Sequence, residues 1–298
     1  MLIPVALFAY ARPDHLSQTL QSLRANQVPL IYAFSDGARV PDKVPAVAEV
    51  RRLLRAIDWC DVRLIEREQN LGLGRSIRTG VAAVLAEHEA VIVVEDDLVS
   101  VPGAYHYLSA ALQHYRDESK VMSVTGWTHP RVTPVDLNGN PYFDGRAECL
   151  LWGTWKRGWE GMDQDAQTLI SRCYQRGIDP YHYGADLVYQ ASIEHKRNIW
   201  AVRFLYLHIF NQGLCLRPPY SLVEHIGFDN LATNAYQETG WSNPTLQPCP
   251  PIPSVWPKPV EHPACASLWR ASMGERPPLL KRLRTRTKRM LRSILEKR

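Results

Sequence analysis

Short apolar runs alternate with amphipathic stretches over the first hundred residues, and this alternation constrains the fold more than any other feature. Strand-like runs occupy residues 3–10, 30–37, 61–68 and 90–97, and a helix-like segment follows each of the first three. Such a pattern favours parallel strands joined by right-handed helical crossovers. We therefore predict an α/β fold with a mainly parallel central sheet flanked by helices.

Composition indicates a soluble globular chain. The 298 residues are 45% hydrophobic and 22% charged, and no run approaches the ~20 apolar residues of a membrane span. We interpret the first ten residues as a strand rather than a signal peptide, because they lack a basic leader and a cleavage site. The six cysteines include no C-x-x-C pair, which argues against a zinc ribbon or a disulfide framework. We expect a cytoplasmic protein.

The positive charge is concentrated in the C-terminal tail. Residues 281–298 hold nine Lys or Arg against the single acid Glu296, a net of +8, and since the whole chain is at +5 the other 280 residues carry −3. This tail is typical of a helix lying on an anionic membrane surface, and equally of a solvated basic tail. No nucleic-acid partner is indicated. We predict one main domain over 1–245, a Pro-rich strap over 246–278 and a basic tail over 279–298.

Three consecutive acids, Glu95, Asp96 and Asp97, end the fourth predicted strand. Like charges at ~4 Å repel by roughly 4 kcal/mol at an effective dielectric near 20, so the cluster calls for a counter-charge. Asp36 and Asn70 close the second and third strands, and in parallel sheets ligands bind beyond these carboxyl ends. An oxygen-rich site suits Mg²⁺ or Mn²⁺ shared with a diphosphate. The alternative is a solvated strand end or a helix-capping cluster.

Known phosphate-binding motifs are incomplete in the sequence. Gly72 and Gly74 begin a G-x-G pattern, but the third glycine of the dinucleotide fingerprint is replaced by Ile77. No P-loop pattern occurs either. Arg75 and Arg78 begin the following helix and could contact phosphate or remain solvated.

The second half of the chain is richer in aromatic residues. If their segment is a helix, Trp152, Trp155 and Trp159 share one helical face, and they suit either the core or a sugar-binding platform. Residues 198–213 predict a buried helix closed by a glycine. From residue 243 onward the density of proline predicts an extended strap without regular elements.

Seven segments, taken in order, resemble a group of bacterial GT-A glycosyltransferases of family 2 type. More distantly they are similar to the N-acetylglucosaminyltransferase that initiates complex N-glycans, whose acidic motif is also E-D-D. The segments are ALFAYARPDH (6–15), FSDG (34–37), NLGLGRSI (70–77), VVEDDLV (93–99), WGTWKRGW (152–159), IWAVRF (199–204) and SLVEHIGFD (221–229). The resemblance implies a GT-A nucleotide-binding sandwich with one continuous catalytic domain.

The resemblance also implies roles for particular residues. Asp97 would ligate the metal ion, Mn²⁺ or Mg²⁺. The residues implied to bind the nucleotide-sugar are Arg12 and Asp36 at the base and ribose, Asn70 and Arg75 flanking the donor, Glu95 and Asp96 facing the donor sugar and ribose, and Trp152 and Trp155 on the sugar or acceptor side.

Two positions depart from the family pattern. Relatives have D-S-W where this chain has Asn198, and G-T-H where it has Asn234. An amide cannot act as a general base. The candidate bases are Asp229 first, then Glu194, with Asp186 as a further possibility. His225 could contact phosphate or be a buried structural histidine.

The sequence therefore predicts a metal-dependent glycosyltransferase, inverting by analogy. Its partners would be a nucleotide-sugar donor, with a UDP-sugar favoured, and a saccharide or lipid-linked acceptor. The alternative is a catalytically impaired protein with a transferase fold that binds the nucleotide-sugar. A nucleotidyltransferase is less favoured, because no glycine-rich phosphate loop occurs near the N-terminus.

Overall fold

β-branched and aliphatic runs form the strands, and the apolar faces of the intervening segments form the helices. The computed structural model describes residues 2–227, 241 and 244–278. The strands are β1 Val5–Ala9, β2 Leu30–Ser35, β3 Asp61–Glu66, β4 Ala90–Glu95, β5 Leu98–Ser100, β6 Val121–Thr125, β7 Tyr142–Asp144, β8 Trp152–Trp155, β9 Leu214–Arg217 and β10 Val223–His225. The helices are α1 Pro13–Ala25, α2 Val44–Arg55, α3 Leu73–Glu87, α4 Ala104–His114, α5 Lys156–Trp159, α6 Ala166–Gln175, α7 Ala185–Arg197, α8 Ala201–Asn211 and α9 Cys265–Met273.

Eight strands form one sheet in the order β3-β2-β1-β4-β8-β6-β9-β7, and β10 pairs with β5 separately. The pairs β4–β8, β8–β6 and β9–β7 are antiparallel, and the other neighbours in the large sheet are parallel. Only β8 and β7 therefore run against the common direction of this sheet. The predicted α/β class, with a mainly parallel sheet flanked by helices, is confirmed.

Helix α3 packs closely on the sheet because a glycine faces the strands. A Cβ placed on Gly80 would lie 2.6 Å from the ring of Phe8, so no larger residue fits without movement. Phe8 and Phe34 stack at 4.9 Å between ring centroids beneath the helix. Ile77 and Val81 of α3 are fully buried, and each such side chain contributes roughly 1.5–3 kcal/mol.

The strap over 246–278 contains a helix that the sequence interpretation missed. Residues 244–264 are irregular and touch the body through the bridges Ser221↔Leu246 and Phe143↔Glu261. α9 then forms in a proline-free run between Pro263 and Pro277. The expectation of no regular element beyond residue 243 was wrong, because it extended the proline argument across this run.

A helix that crosses a bilayer must be both long and apolar. None of the described helices is long and apolar enough to span a membrane. The predicted tail over 279–298 lies outside the described residues.

Candidate functional site

The carboxyl ends of β1, β2, β3 and β4 meet at one edge of the sheet. Their register aligns Phe8 with Phe34 and Phe8 with Glu95, so residues just beyond each strand lie side by side. The structure therefore brings four of the predicted residues to this edge, which we call the acidic rim. They are Arg12, Asp36, Asn70 and Glu95, and the turn after β4 adds Asp96 and Asp97.

Asp96 and Asp97 have different partners within the rim. Asp96 Oδ2 accepts a hydrogen bond from the backbone N–H of Tyr10 at 2.8 Å. Asp97 Oδ2 accepts from Arg12 Nη1 at 2.7 Å and lies 3.2 Å from His225 Nε2. Strand β10 supplies His225 because it pairs antiparallel with β5 and aligns this residue with Leu98. His225, which the sequence left between two roles, thus meets the predicted metal ligand.

The rim acids have unequal proton affinities. Burial, followed by the charges of Asp97 and Asp96, holds the pKa of Glu95 well above its ordinary value. Burial and the charge of Asp97 raise the pKa of Asp96 to about 7. Burial also acts to raise the pKa of Asp97, but His225 and Arg12 outweigh it, so that pKa is lowered. Of these three consecutive acids, Asp97 therefore carries the negative charge most readily.

A hydrogen-bonded loop closes the rim beside β2 and β3. Asp36 is buried and accepts from Arg67 Nη1 at 2.7 Å and from the N–H of Leu71 at 2.9 Å. Asn70 donates to the carbonyl of Gly37 at 3.0 Å and accepts from the N–H of Gly72 at 3.0 Å. The sequence interpretation did not include Arg67. Its position directly after a strand, at the predicted ligand-binding edge, could have indicated it.

Arg75 and Arg78 both lie on the first turns of α3 but differ in environment. Arg75 is exposed and Arg78 is half-buried, with its Nε donating to the carbonyl of Gly74 at 3.3 Å. The structure thus places Arg75 at the helix start, as expected, with its guanidinium open to solvent.

Trp152 and Trp155 lie inside the core and not on the rim. They are 0% and 3% exposed, and Trp152 packs on Trp159, Trp200 and Phe204 with ring centroids 5.5, 5.3 and 4.7 Å away. The condition for a shared helical face is not met, because residues 152–155 are strand β8 and only 156–159 are helical. Because both indoles are covered by protein, neither has a face available to a sugar.

Two of the candidate bases are engaged in ion pairs. Glu194 is buried, accepts from the N–H of Ala166 at 2.9 Å and pairs with Arg203 Nε. Asp186 pairs with Arg146 Nη2 at 2.7 Å. Asp229 and Asn234 lie outside the described residues.

An aromatic group at the same edge was not predicted. β6 runs in the direction of β4, and Trp127 and His129 follow its carboxyl end. Their rings lie 6.1 Å apart, and the ring of Trp241 lies 4.8 Å from that of His129. Burial, with the charge of Arg131, lowers the pKa of His129, which favours the neutral imidazole. The segment TGWTHP (125–130), in which a tryptophan and a histidine follow the end of a strand, could have indicated this group from the sequence.

Asp144, Glu261 and Cys265 also bring ligand atoms within 4.8 Å of one another. However, Asp144 Oδ2 forms an ion pair with Arg217 Nε at 2.9 Å and accepts a hydrogen bond from Trp269 Nε1 at 2.7 Å. A buried guanidinium already supplies the positive charge at this cluster. We therefore interpret it as a structural ion pair of the core and not as a metal centre.

A shallow cavity of about 490 Å³ lies at the opposite edge of the sheet, lined by residues such as Arg24, Trp59 and Asp61. These residues precede or begin β2 and β3, at the amino ends of the strands. Because ligands of parallel sheets bind at the carboxyl ends, the acidic rim is the better candidate.

Comparisons with known proteins leave the family open. No model of a known protein family matches the chain, and no curated protein matches it. Among solved structures, the chain is similar to the mannosyltransferase PcManGT from Pyrobaculum calidifontis, in complex with GDP-Man and Mn²⁺, at a TM-score of 0.40 and 13% identity, over 53% of this chain and 46% of that one. The chain thus spans less than half of that protein.

Two further solved structures show a similar degree of likeness. A197 from STIV aligns at a TM-score of 0.36 and 7% identity, over 74% of this chain and 84% of that one. The 4-diphosphocytidyl-2C-methyl-D-erythritol synthase from Anaerococcus prevotii aligns at 0.32 and 11%, over 60% and 78%. At these scores the likenesses carry no argument about activity. The geometry of the acidic rim is therefore the ground on which a function can be assigned.

Proposed function

We propose that the chain is a metal-dependent GT-A glycosyltransferase that moves a sugar from a nucleotide-sugar donor to a saccharide or lipid-linked acceptor with inversion. One observation carries the proposal. Asp97, whose pKa is lowered, lies between Arg12 and His225 at the strand-end edge, beside the loop that Asp36 and Asn70 hold. The motifs that resemble this group of transferases fall on these same residues.

The residues present fit a hard divalent cation. The Asp97 carboxylate and the His225 imidazole converge within 3.2 Å and offer the oxygen and nitrogen donors that Mn²⁺ accepts. Mg²⁺ and Mn²⁺ need only one or two protein carboxylates, because phosphate and water fill the remaining positions. When bound, the ion would stabilise negative charge on the departing nucleoside diphosphate. Arg12 shares Asp97 Oδ2 and would have to release it.

The loop beside β2 supplies the groups proposed to hold the nucleotide. A carboxylate has about four lone-pair positions, and Asp36 uses two of them on Arg67 and Leu71. The others could accept an N–H from a uracil-like base, which is why a UDP-sugar is favoured. Asn70 shapes the adjacent backbone, Arg75 flanks the donor, and Glu95 and Asp96 face its sugar and ribose.

Inverting transfer requires a carboxylate to take the proton of the acceptor hydroxyl. Glu194 is poorly placed for this role, because both of its oxygens already accept hydrogen bonds. We therefore propose Asp229 as the base, ahead of Glu194. Replacing Asp229 by Asn should abolish transfer and leave donor binding in place.

One observation favours the alternative of a binding protein with impaired catalysis. Asn198, an amide where relatives have an acid, packs directly against Gly72 and Gly74 at the start of α3. If that position holds the base in the relatives, this chain binds the donor without turning it over.

Calorimetric titration tests the proposal. UDP- and GDP-sugars are titrated with and without Mn²⁺ into the wild type, Asp97→Asn and the exposed control Asp42→Asn. We expect Mn²⁺ to tighten binding in the wild type and the control but not in Asp97→Asn. Equal enhancement in Asp97→Asn would refute the metal site. Release of nucleoside diphosphate with an acceptor supports the transferase, whereas metal-dependent binding without release supports the binding protein.

We also propose that the basic tail attaches the protein peripherally to an anionic membrane surface, at the inner face of the membrane if the protein is cytoplasmic. Nine cations in 281–298 favour such attachment, at about 1 kcal/mol for each cation near the surface. Sedimentation with phosphatidylserine vesicles should fall steeply as salt rises, and zwitterionic vesicles should not bind. Vesicle binding that does not change with salt concentration would contradict this proposal.

A further inference from the structure

A small polar cavity lies between α3 and the junction of α7 with α8. Its volume is about 60 Å³, several times the roughly 10–15 Å³ that holds one water molecule. The lining residues are Arg78, Glu194, His195, Asn198, Ile199, Trp200 and Arg203. Both His195 and Asn198 are exposed, so the cavity opens to solvent.

The charges around the cavity do not balance. Glu194 and Arg203 pair with one another and cancel. Arg78 uses its Nε on the carbonyl of Gly74, and within residues 2–227, 241 and 244–278 no carboxylate forms an ion pair with it. Burial and the charges of Arg203 and Arg75 lower the pKa of Arg78 although the charge of Glu194 opposes them, and a guanidinium stays protonated. The cavity therefore holds two guanidinium groups, Arg78 and Arg203, against the single carboxylate of Glu194.

The surface around the cavity adds further positive charge. The last turn of α7 carries His195, Lys196 and Arg197, all exposed, and Arg75 is exposed on α3. This concentration stands out on a body that carries a net negative charge outside the tail. An anion would be drawn to this opening.

Asn198 contributes an uncharged polar side chain to the cavity. It adopts a left-handed conformation with φ of 52° that ends α7. Its side chain lies so close to the glycine loop that a Cβ on Gly72 would be 2.8 Å from Nδ2, and one on Gly74 would be 2.5 Å from Oδ1. An aspartate at this position would bring a carboxylate to this cavity. The amide in this chain leaves the charge of Arg78 available.

We propose that this cavity binds a phosphate group, with Arg78 as the cationic partner and Asn198 as a neutral donor. The planar fork of arginine matches two phosphate oxygens, and such charge-assisted hydrogen bonds are among the stronger ones. The phosphate could belong to the donor diphosphate or to a phosphorylated acceptor. Assignment to either substrate rests on the proposed function, whereas the phosphate site itself does not.

Calorimetry with inorganic pyrophosphate in EDTA tests the site on the full-length protein at physiological salt. The variants are Arg78→Gln and Asn198→Asp, with Arg52→Gln as a control because that arginine is exposed and distant in sequence. We expect about tenfold weaker binding in both cavity variants and no weakening in the control. The basic tail is identical in all variants, so the difference between them reports on the cavity.

Asn198→Asp separates charge from backbone shape, because aspartate tolerates the left-handed conformation and has the same outline. Unchanged pyrophosphate affinity in both cavity variants, or no specific binding by the wild type, would overturn the inference.

The source of the phosphate is decided by titrating UDP in Mn²⁺. A parallel loss of UDP affinity in Arg78→Gln assigns the cavity to the donor diphosphate. Full UDP affinity in that variant, with pyrophosphate binding lost, assigns it to the acceptor. If the wild type binds pyrophosphate but no nucleotide-sugar, the glycosyltransferase proposal fails and the phosphate site stands.

Discussion

Arg12 Nη1 and Asp97 Oδ2 lie 2.7 Å apart, and both side chains are 13% exposed. The backbone of Gly227 packs so closely against this pair that a Cβ there would overlap Asp97 Oδ2 and lie 2.9 Å from Arg12 Nη1. A protein cation therefore already occupies the oxygen proposed to bind the metal ion. Metal and arginine must compete for it.

This competition predicts that Arg12→Gln binds Mn²⁺ more tightly than the wild type does in the absence of nucleotide. Removing one positive charge about 4 Å from the ion relieves a repulsion worth a few kcal/mol at an effective dielectric near 20, so we expect at least a tenfold gain. Titration followed by the EPR signal of free Mn²⁺ measures it. Arg52→Gln is the matched control, and an unchanged or weaker affinity in Arg12→Gln would contradict the prediction.

Trp152→Ala should destabilise the fold. It should not remove a direct contact with a sugar, because the indole is buried. Loss of a fully buried indole typically costs about 3–5 kcal/mol of unfolding free energy. Urea denaturation measures this cost, and Trp59→Ala, at a half-buried position on the opposite edge, should cost less. The burial assigned to Trp152 would be refuted by a stable variant that has lost donor binding.

Asp144→Asn should remove the nearer counter-charge of the buried Arg217 and leave only the longer ion pair with Glu148 Oε2, at 3.8 Å from Arg217 Nη1. The side chains of Asp144 and Arg217 are both 0% exposed, and removing one partner of a buried pair typically costs about 3–5 kcal/mol. Asp136→Asn is the control, because Asp136 is 70% exposed and its contact with His262 lies at the surface. Thermal denaturation compares the two variants. If both variants lower the melting temperature by the same small amount, the ion pair of Asp144 with Arg217 is not important for stability.

His208 should make stability depend on pH below neutrality. Burial lowers its pKa from 6.5 to about 4, and its ring bonds to Ser123 Oγ and to the carbonyl of Phe204. The unfolded chain takes up the proton first as pH falls, so this group's contribution is complete above about pH 6.5 and is lost between about 6.5 and 4. A shift of this size corresponds to about 3 kcal/mol.

Urea denaturation at a series of pH values measures this loss. His208→Gln should flatten the profile between pH 6.5 and 4 relative to the wild type. An exposed histidine, His195, replaced by Gln, should leave the profile unchanged. If His208→Gln keeps the full slope, another group is responsible.

Local sequence patterns were sufficient for the first four strands. β-branched runs followed by turn residues mark where a strand ends, and the carboxyl ends of parallel strands share an edge. The positions of Asp36, Asn70 and Glu95 on one rim therefore followed from the sequence alone. Periodicity failed at Trp152 and Trp155, because a three-residue spacing is compatible with a helix and also with an apolar strand buried on both faces.

The sequence by itself determined that strands and helices alternate, that three acids stand at a strand end, and that a cationic tail closes the chain, because each of these depends on neighbours within a few residues. Only the tertiary structure decided which charges meet. Arg12 and Asp97 are 85 residues apart, and Arg217 and Asp144 meet across paired strands. Contacts of this kind depend on sheet order and packing, which no local pattern encodes.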